Sequence, residues 1–257
     1  MLADLTAGAL ADAARRRESV PLEILERRAI ERTPALDALS ALAPADRVRI
    51  IAEVKRSSPS RGALAAIPDP ALLAAQYELG GASAISVLTE ERRFKGSLAD
   101  LEAVRAEVSI PVLRKDFVAE PYQVLEARAA GADLVLLIVA ALEQSVLAEL
   151  HELVLQLGMT PLVETHSGDE LERAADIGAR LIGVNARDLS TFELDRDLFG
   201  RLADRFPSDA VKVAESAVLS SDDVAHYRRS GADVVLVGEA LVTGGDPVST
   251  LAGFLAH

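Results

Sequence analysis

Four times along this chain, about 50 residues apart, a helical-length segment ends in Gly-Ala and runs straight into an apolar stretch. The four are Gly81-Ala82-Ser83, Gly131-Ala132-Asp133, Gly178-Ala179-Arg180 and Gly231-Ala232-Asp233. Glycine suits the position just past a helix because it takes positive φ without a Cβ clash. A repeat of this length is one strand–helix–strand–helix unit, used four times. The sequence predicts eight strands at its apolar runs: Ile50–Val54, Ala84–Leu88, Pro111–Leu113, Leu134–Ile138, Thr160–Val163, Leu181–Val184, Val211–Ala214 and Val234–Val237. Each run is continuously apolar rather than alternating, as parallel strands buried on both faces should be. Between them lie amphipathic stretches such as Pro70–Leu79, Leu98–Glu107, Pro121–Ala130 and Ser167–Ile177. Eight strands alternating with helices predict an α/β fold, a single (β/α)8 TIM barrel, and 257 residues is close to the ~250 typical of one. A doubly wound open sheet would reverse its strand order somewhere, and the regular phasing gives no sign of that.

Residues 1–48 stand outside the repeat. Leu5–Arg17 and Leu22–Arg32 read as amphipathic helices, with Pro34 and Pro44 bounding a connector. The expectation is one domain: an N-terminal helical extension (1–48) packed on a barrel (49–257).

Charge and composition narrow the function. The net charge of −13 would repel a phosphate backbone, so nucleic-acid binding is not expected. An anionic substrate must be held by local cations and backbone N–H groups against that global field. The absence of cysteine excludes disulfides, thiolate metal sites and Cys nucleophiles. His151, His166, His226 and His257 show no ligand spacing, so no metal is expected, and His166, near Glu164, reads as a surface residue or one supporting the site from behind. No G-x-G-x-x-G or Walker loop supports a nucleotide cofactor, and none of any kind is expected. The N-terminus lacks a signal-peptide pattern, and Arg15-Arg16-Arg17 reads as a solvated helix face. The longest apolar run, Leu134 to Leu142, falls short of the ~20 residues of a membrane helix. A cytoplasmic protein with no membrane contact, monomeric or weakly dimeric, is the expectation.

In such barrels the active site lies at the C-terminal ends of the strands. Reading the ends of the runs gives Glu53 and Lys55, then Arg114-Lys115-Asp116, Glu164, Asn185 with Arg187, and Glu215-Ser216. Any one of these is equally readable as a solvated loop charge or a structural ion pair. Glu53 and Lys55 alternate on one strand and therefore share its inner face, with Val54 pointing to the helices. Opposite charges facing a barrel interior are costly unless paired or used. Desolvation and neighbouring cations are expected to lower the pKa of Lys115 into the range of a general acid. A phosphate site is expected after the seventh and eighth runs, at Glu215-Ser216-Ala217-Val218 and Gly238-Glu239-Ala240-Leu241. The Ser57–Gly62 segment reads as a shaped loop adding hydroxyls and Arg61.

Ile51-Ala52-Glu53-Val54-Lys55-Arg56-Ser57-Ser58-Pro59-Ser60 resembles the signature of the indole-3-glycerol phosphate synthases. Further matches follow in order. They are Ser86-Val87-Leu88-Thr89-Glu90 with Phe94 and Gly96-Ser97, Leu113-Arg114-Lys115-Asp116-Phe117, Leu162-Val163-Glu164, Gly183-Val184-Asn185-Ala186-Arg187-Asp188-Leu189 and Val213-Ala214-Glu215-Ser216. The resemblance spans about residues 48–250. It implies a cofactor-free lyase of tryptophan biosynthesis. Such an enzyme takes the sugar phosphate 1-(2-carboxyphenylamino)-1-deoxyribulose 5-phosphate to indole-3-glycerol phosphate, with loss of carbon dioxide and water. It makes Lys115 the acid, and Glu164, Glu53 and Lys55 candidates for the remaining proton transfers. Asn185 becomes a positioning group and Glu215 an orderer of the lysine network. The substrate-binding set it implies is Ser58, Phe94, Phe117, Arg187, Ser216, Ala217, Leu236, Gly238 and Glu239. Phe94 and Phe117 would flank the anthranilate ring. Lys55 and Arg187 would meet its carboxylate.

Two departures bear on the phosphate end. Ala217 stands where the family usually has glycine. If that position needs positive φ, alanine costs on the order of 1 kcal/mol or shifts the turn. Glu239 stands where some relatives carry serine, and is tolerable only with its side chain turned away. The rival readings are a phosphoribosylanthranilate isomerase, disfavoured without cysteine, a Schiff-base aldolase using a strand-end lysine, and a non-catalytic sugar-phosphate-binding paralogue.

Overall fold

The computed structural model describes every residue except Ser60, Leu189, Ser190, Phe192 and His257, so the Ser60 and Leu189 of the sequence motifs and His257 lie outside the described residues. Eight parallel strands close a barrel: β1 Arg49–Val54, β2 Ala84–Leu88, β3 Val112–Lys115, β4 Leu134–Ile138, β5 Thr160–Thr165, β6 Leu181–Asn185, β7 Val211–Glu215 and β8 Val234–Val237. Each pairs with its sequence neighbours, and β8 closes on β1. The four repeat glycines all carry positive φ, between 74° and 96°, where a helix turns into an even-numbered strand.

Helices begin where the sequence supplies caps. Asp69 accepts the Leu72 N–H ahead of Pro70–Leu79, and Ser97 accepts that of Asp100 ahead of Leu98–Glu107. At Pro121–Ala130 a capping box joins Glu120 and Gln123. Such contacts satisfy N–H groups that have no partner within the first turn. Among the described residues no helix is long and apolar enough to cross a membrane.

The strands are apolar on both faces because each face meets a different layer. Ile50, Ala52 and Val54 of β1 pack outward with the helices, as do Val112, Val163, Val184 and Val235. Ile51, Leu113, Leu162 and Val213 point inward to a second cluster. The extension closes that interior, since Leu5 and Ala9 of Leu2–Ser19 and Ala38 with Leu42 belong to the same inner cluster. The short helix Ala38–Ala41, in the connector between Pro34 and Pro44, carried no periodic signal in the sequence.

Register decides what sits at one height in the barrel. Glu53 is linked across β2 through Ser86 to Leu113, Glu164 through Gly183 to Val213, and Glu215 through Leu236 to Ile51. Because the strands tilt, the level residue lies two positions farther on: Lys115, Glu215 and Glu53 respectively. Leu113 is linked through Leu134 to Thr160, which sets Leu162 level with Leu113 and Glu164 level with Lys115. Four such steps of two residues make the shear of about 8 expected of this architecture. Glu53, Lys115, Glu164 and Glu215 are therefore one four-residue layer contributed by the odd strands, above the apolar layer Ile51, Leu113, Leu162, Val213.

Candidate active site

The charged layer floors a cleft of about 560 Å³ at the C-terminal end of the barrel. Lys115 Nζ stands 3.8 Å from Glu53 Oε2, 3.7 Å from Glu164 Oε2 and 3.7 Å from Glu215 Oε2. Lys55 Nζ meets the other oxygen of Glu53 at 2.6 Å. The strand alternation read from Glu53-Val54-Lys55 is thus realised, with Val54 against the helices and both charges within the cleft. All three carboxylates are buried, and Lys115 is 16% exposed, open only toward the cleft it lines.

The electrostatics correct one expectation. Burial works to lower the pKa of Lys115, but Glu164, Glu53 and Glu215 overcome it and raise the lysine well above its ordinary value. The sequence reading assumed cations nearby; the layer supplies three carboxyl groups instead, with Glu53 and Glu164 held ionised, so Lys115 is a firmly charged ammonium. Burial likewise works to raise Glu53, and Lys55 and Lys115 hold it below the ordinary carboxylate range. For Glu164, burial is outweighed by Lys115 and His166, which lower it. Glu215 is pushed well up by burial and by the Glu164 charge beside it.

Glycine makes room for this arrangement twice. A Cβ on Gly183 would lie 2.1 Å from Glu215 Oε1. One on Gly238 would lie 2.5 Å from Glu53 Oε1 and 3.0 Å from Lys55 Nζ. The sequence placed Gly238 at the expected phosphate site; its lack of Cβ also accommodates the Glu53–Lys55 pair.

Phe94 and Phe117 line one wall, their rings 6.2 Å apart, with Leu5, Leu88, Ile138 and Leu236 around the same cleft. Opposite lie Ser58, Arg61, Ser216, Ala217, Gly238 and Glu239. Ser216 and Ala217 both take positive φ, 70° and 56°, so the condition attached to alanine here is met and the turn is strained. Glu239 lines the same cleft and is ion-paired there, its Oε1 at 3.0 Å from an Arg61 guanidinium nitrogen. Asn185 Oδ1 accepts from Ser216 Oγ at 2.8 Å and from the Arg187 N–H at 3.0 Å, tying the ends of β6 and β7 together.

Arg114 and Asp116, read beside Lys115 as strand-end charges, serve a different purpose. The predicted third strand, Pro111–Leu113, extends to Lys115, and alternation sends Arg114 outward, fully buried. There it donates to Thr89 Oγ1, the Gln123 carbonyl, Glu126 and Asp116, and Glu126 is also held bidentately by Arg16 of the extension. Asp116 in turn accepts the Phe117 N–H at 2.8 Å. This network fixes the backbone on both sides of Lys115.

Sequence reasoning left Leu5, Leu88, Ile138 and Gly183 unassigned. Leu88 and Ile138 are inward positions at the ends of even strands, a parity visible once the register is known. Leu5 carries no such signal, because its place depends on how the extension docks. His166 was read as a surface residue or one supporting the site from behind, and its Nε2 stands 3.3 Å from Glu164 Oε1. Among the described residues no group of three or more His, Asp or Glu side chains is arranged to hold a metal ion.

Comparison with known proteins agrees with this geometry. The family model described as indole-3-glycerol phosphate synthase matches residues 2–252. A protein of that name from Leifsonia xyli subsp. xyli is 74% identical over 254 residues, covering 99% of this chain and 97% of its own. Indole-3-glycerol phosphate synthase 1 of Streptomyces coelicolor is 58% identical over 256 residues, covering 100% and 95%. A solved structure, 3-hexulose-6-phosphate synthase from Salmonella typhimurium, superposes with a TM-score of 0.64 at 16% identity, covering 81% of this chain and 97% of its own, a likeness of fold alone. With a barrel of the right architecture and a match running almost from end to end, this chain belongs to the indole-3-glycerol phosphate synthase family, carboxy-lyases of tryptophan biosynthesis.

Proposed function

We propose that the charged layer performs this family's ring closure with Lys115 as the acid. The substrate, 1-(2-carboxyphenylamino)-1-deoxyribulose 5-phosphate, lies with its ring on Phe94 and Phe117 and its phosphate toward Ser58, Ser216, Ala217, Gly238 and Glu239. Leu236 completes the apolar side. Asn185 and Arg187 position the chain between, with Lys55 and Arg187 toward the carboxylate. As the ring carbon attacks C2′, negative charge develops on the carbonyl oxygen. A fixed ammonium aimed at that oxygen stabilises the charge and then gives up a proton to it. Loss of carbon dioxide restores the aromatic ring, and dehydration then needs a base and an acid, for which Glu164, Glu53 and Lys55 are the groups at hand. Glu215 orders the lysine. The whole chain acts as one domain, extension included, as a cytoplasmic monomer or weak dimer, which sedimentation would read.

The observation that carries the reading is Lys115 Nζ held at 3.7–3.8 Å from three carboxylates. At that separation the ammonium is charged but not locked into a single direct hydrogen bond, leaving its protons available to substrate. The same charge counts against a Schiff-base aldolase, whose lysine must be neutral to attack. The test is indole fluorescence on mixing purified protein with the substrate, wild type beside Lys115→Met. Turnover in the wild type, with a loss of about 10²–10⁴-fold in the variant, is expected of a general acid. A folded wild type with no signal at saturating substrate leaves the non-catalytic reading, and borohydride trapping of wild type would favour the aldolase.

A further inference from the structure

The buried layer holds three carboxylates and one ammonium, and the neighbouring cations are not shared evenly. Glu53 has Lys55 to itself. Glu164 and Glu215 share Lys115 alone within the layer. Among the described residues, Glu164 Oε2, both oxygens of Glu215 and His166 Nε2 are buried with no hydrogen-bond partner. Three orphaned acceptors at one place are expensive, and a single proton between the two carboxyls converts an acceptor pair into a donor and an acceptor. Two carboxyls that share a proton titrate as a pair, and their surroundings decide which of them keeps it.

The surroundings here differ by one residue. Behind Glu164, at the end of β5, stands His166, with Nε2 3.3 Å from Glu164 Oε1. Its Nδ1 lies 3.2 Å from Glu170 Oε2, and that oxygen also accepts the His166 backbone N–H at 2.8 Å. Glu170 is itself fixed in the first turn of Gly168–Asp176, where Ser167 accepts its N–H. The ring, 12% exposed, is thus hydrogen-bonded to Glu170 on the helix side and in ion-pair contact with Glu164 on the strand side. Among the described residues Glu215 has no such companion.

We propose that His166 is a positioning residue that breaks the symmetry of the Glu164–Glu215 pair: as an imidazolium anchored by Glu170, it keeps Glu164 a carboxylate and leaves the shared proton on Glu215. This rests on the ring-closure reading above and deepens it, because it makes Glu164 the base of the final steps and Glu215 an acid rather than only an orderer of Lys115. The direction of titration agrees, since its two carboxylate neighbours overcome burial and push His166 up to about 10.

Two variants and two readouts test it. In His166→Gln the pair loses its second cation, so the acid limb of the kcat–pH profile moves to higher pH, by about one unit for each tenfold loss of differential stabilisation. His166→Arg restores a cation and draws the limb back. Glu170→Gln, at a more exposed side chain, shifts the limb the same way by less. The second readout needs no turnover: infrared titration of the ¹³C-glutamate-labelled intact protein, in which His166→Gln holds a larger fraction of protonated carboxyl at neutral pH than wild type. Superimposable limbs and superimposable carboxyl titrations in folded His166→Gln and Glu170→Gln overturn the proposal. If the wild type turns over no substrate, the ring-closure reading fails while the infrared titration still reports on His166.

Discussion

Ala217 is the residue at which a substitution should repair the molecule. Its φ of +56° lies in the left-handed region, which costs an L-residue with a Cβ about 1–2 kcal/mol. Glycine removes that strain but loses about 0.4–1 kcal/mol through the greater freedom of its unfolded chain. The side chain is half-buried, so the lost methyl contact is small. Ala217→Gly should therefore stabilise the protein by about 1 kcal/mol, which for a chain of this size is a rise of about 2–4 °C in Tm. Thermal unfolding and urea titration of the two proteins, with equal urea slopes, would measure it. An unchanged or lowered Tm would refute the argument, because it would mean that the turn after β7 does not hold alanine in the left-handed region. The same variant reads the second consequence: a relaxed turn that presents its N–H groups better lowers KM for the phosphorylated substrate.

The remaining predictions concern the charged layer. Gly183→Ala puts a methyl where Glu215 Oε1 now lies, so the carboxyl must move, at a cost of about 1–3 kcal/mol and with a fall in kcat measurable in the fluorescence assay. His166, raised to about 10 in the folded protein against ~6.5 unfolded, contributes stability that is fully present below pH ~6.5 and is lost as pH rises toward 10. The stability difference between wild type and His166→Gln, from urea titrations, should shrink across that window; a difference that grows would show the ring to be neutral in the folded state.

Much of this was legible because the signals were local. The segments read as helical between the apolar runs, Pro70–Leu79 and Pro121–Ala130, are helices over those same residues, each with proline at its first position and a capping residue before it. Period-two alternation put Glu53 and Lys55 on one face with no knowledge of the partner strands. What failed depended on register. The sign of the Lys115 shift follows from which side chains share its height, and that is set by strand tilt, not by Lys115's neighbours in sequence. Arg114 was open to reading as a site charge, a loop charge or a structural ion pair; the last holds, but nothing local announces Glu126 and Arg16, whose positions depend on a helix and an extension arriving from elsewhere. Gly183 read as an ordinary strand residue, although its missing Cβ is the space that Glu215 occupies.

The layer also sets function against stability. Three of the four positions that would complete the core with branched apolar residues hold buried carboxylates, and Glu215 is the least compensated of them. Among the described residues both of its oxygens lack hydrogen-bond partners, its ionisation is opposed by Glu164, and its nearest cation is 3.7 Å away. Leucine is comparable in size to glutamate, shares its Cβ and Cγ, and ends short of the space beside Gly183 that Glu215 Oε1 occupies. Glu215→Leu removes an unsatisfied buried polar group, worth about 1–3 kcal/mol. It does not strand Lys115, which keeps Glu53 and Glu164. The variant should therefore unfold at higher urea than wild type while losing turnover. A destabilised Glu215→Leu would mean that the carboxyl is held by interactions stronger than those its surroundings display, and that the barrel gives up no stability to keep an acid at this position.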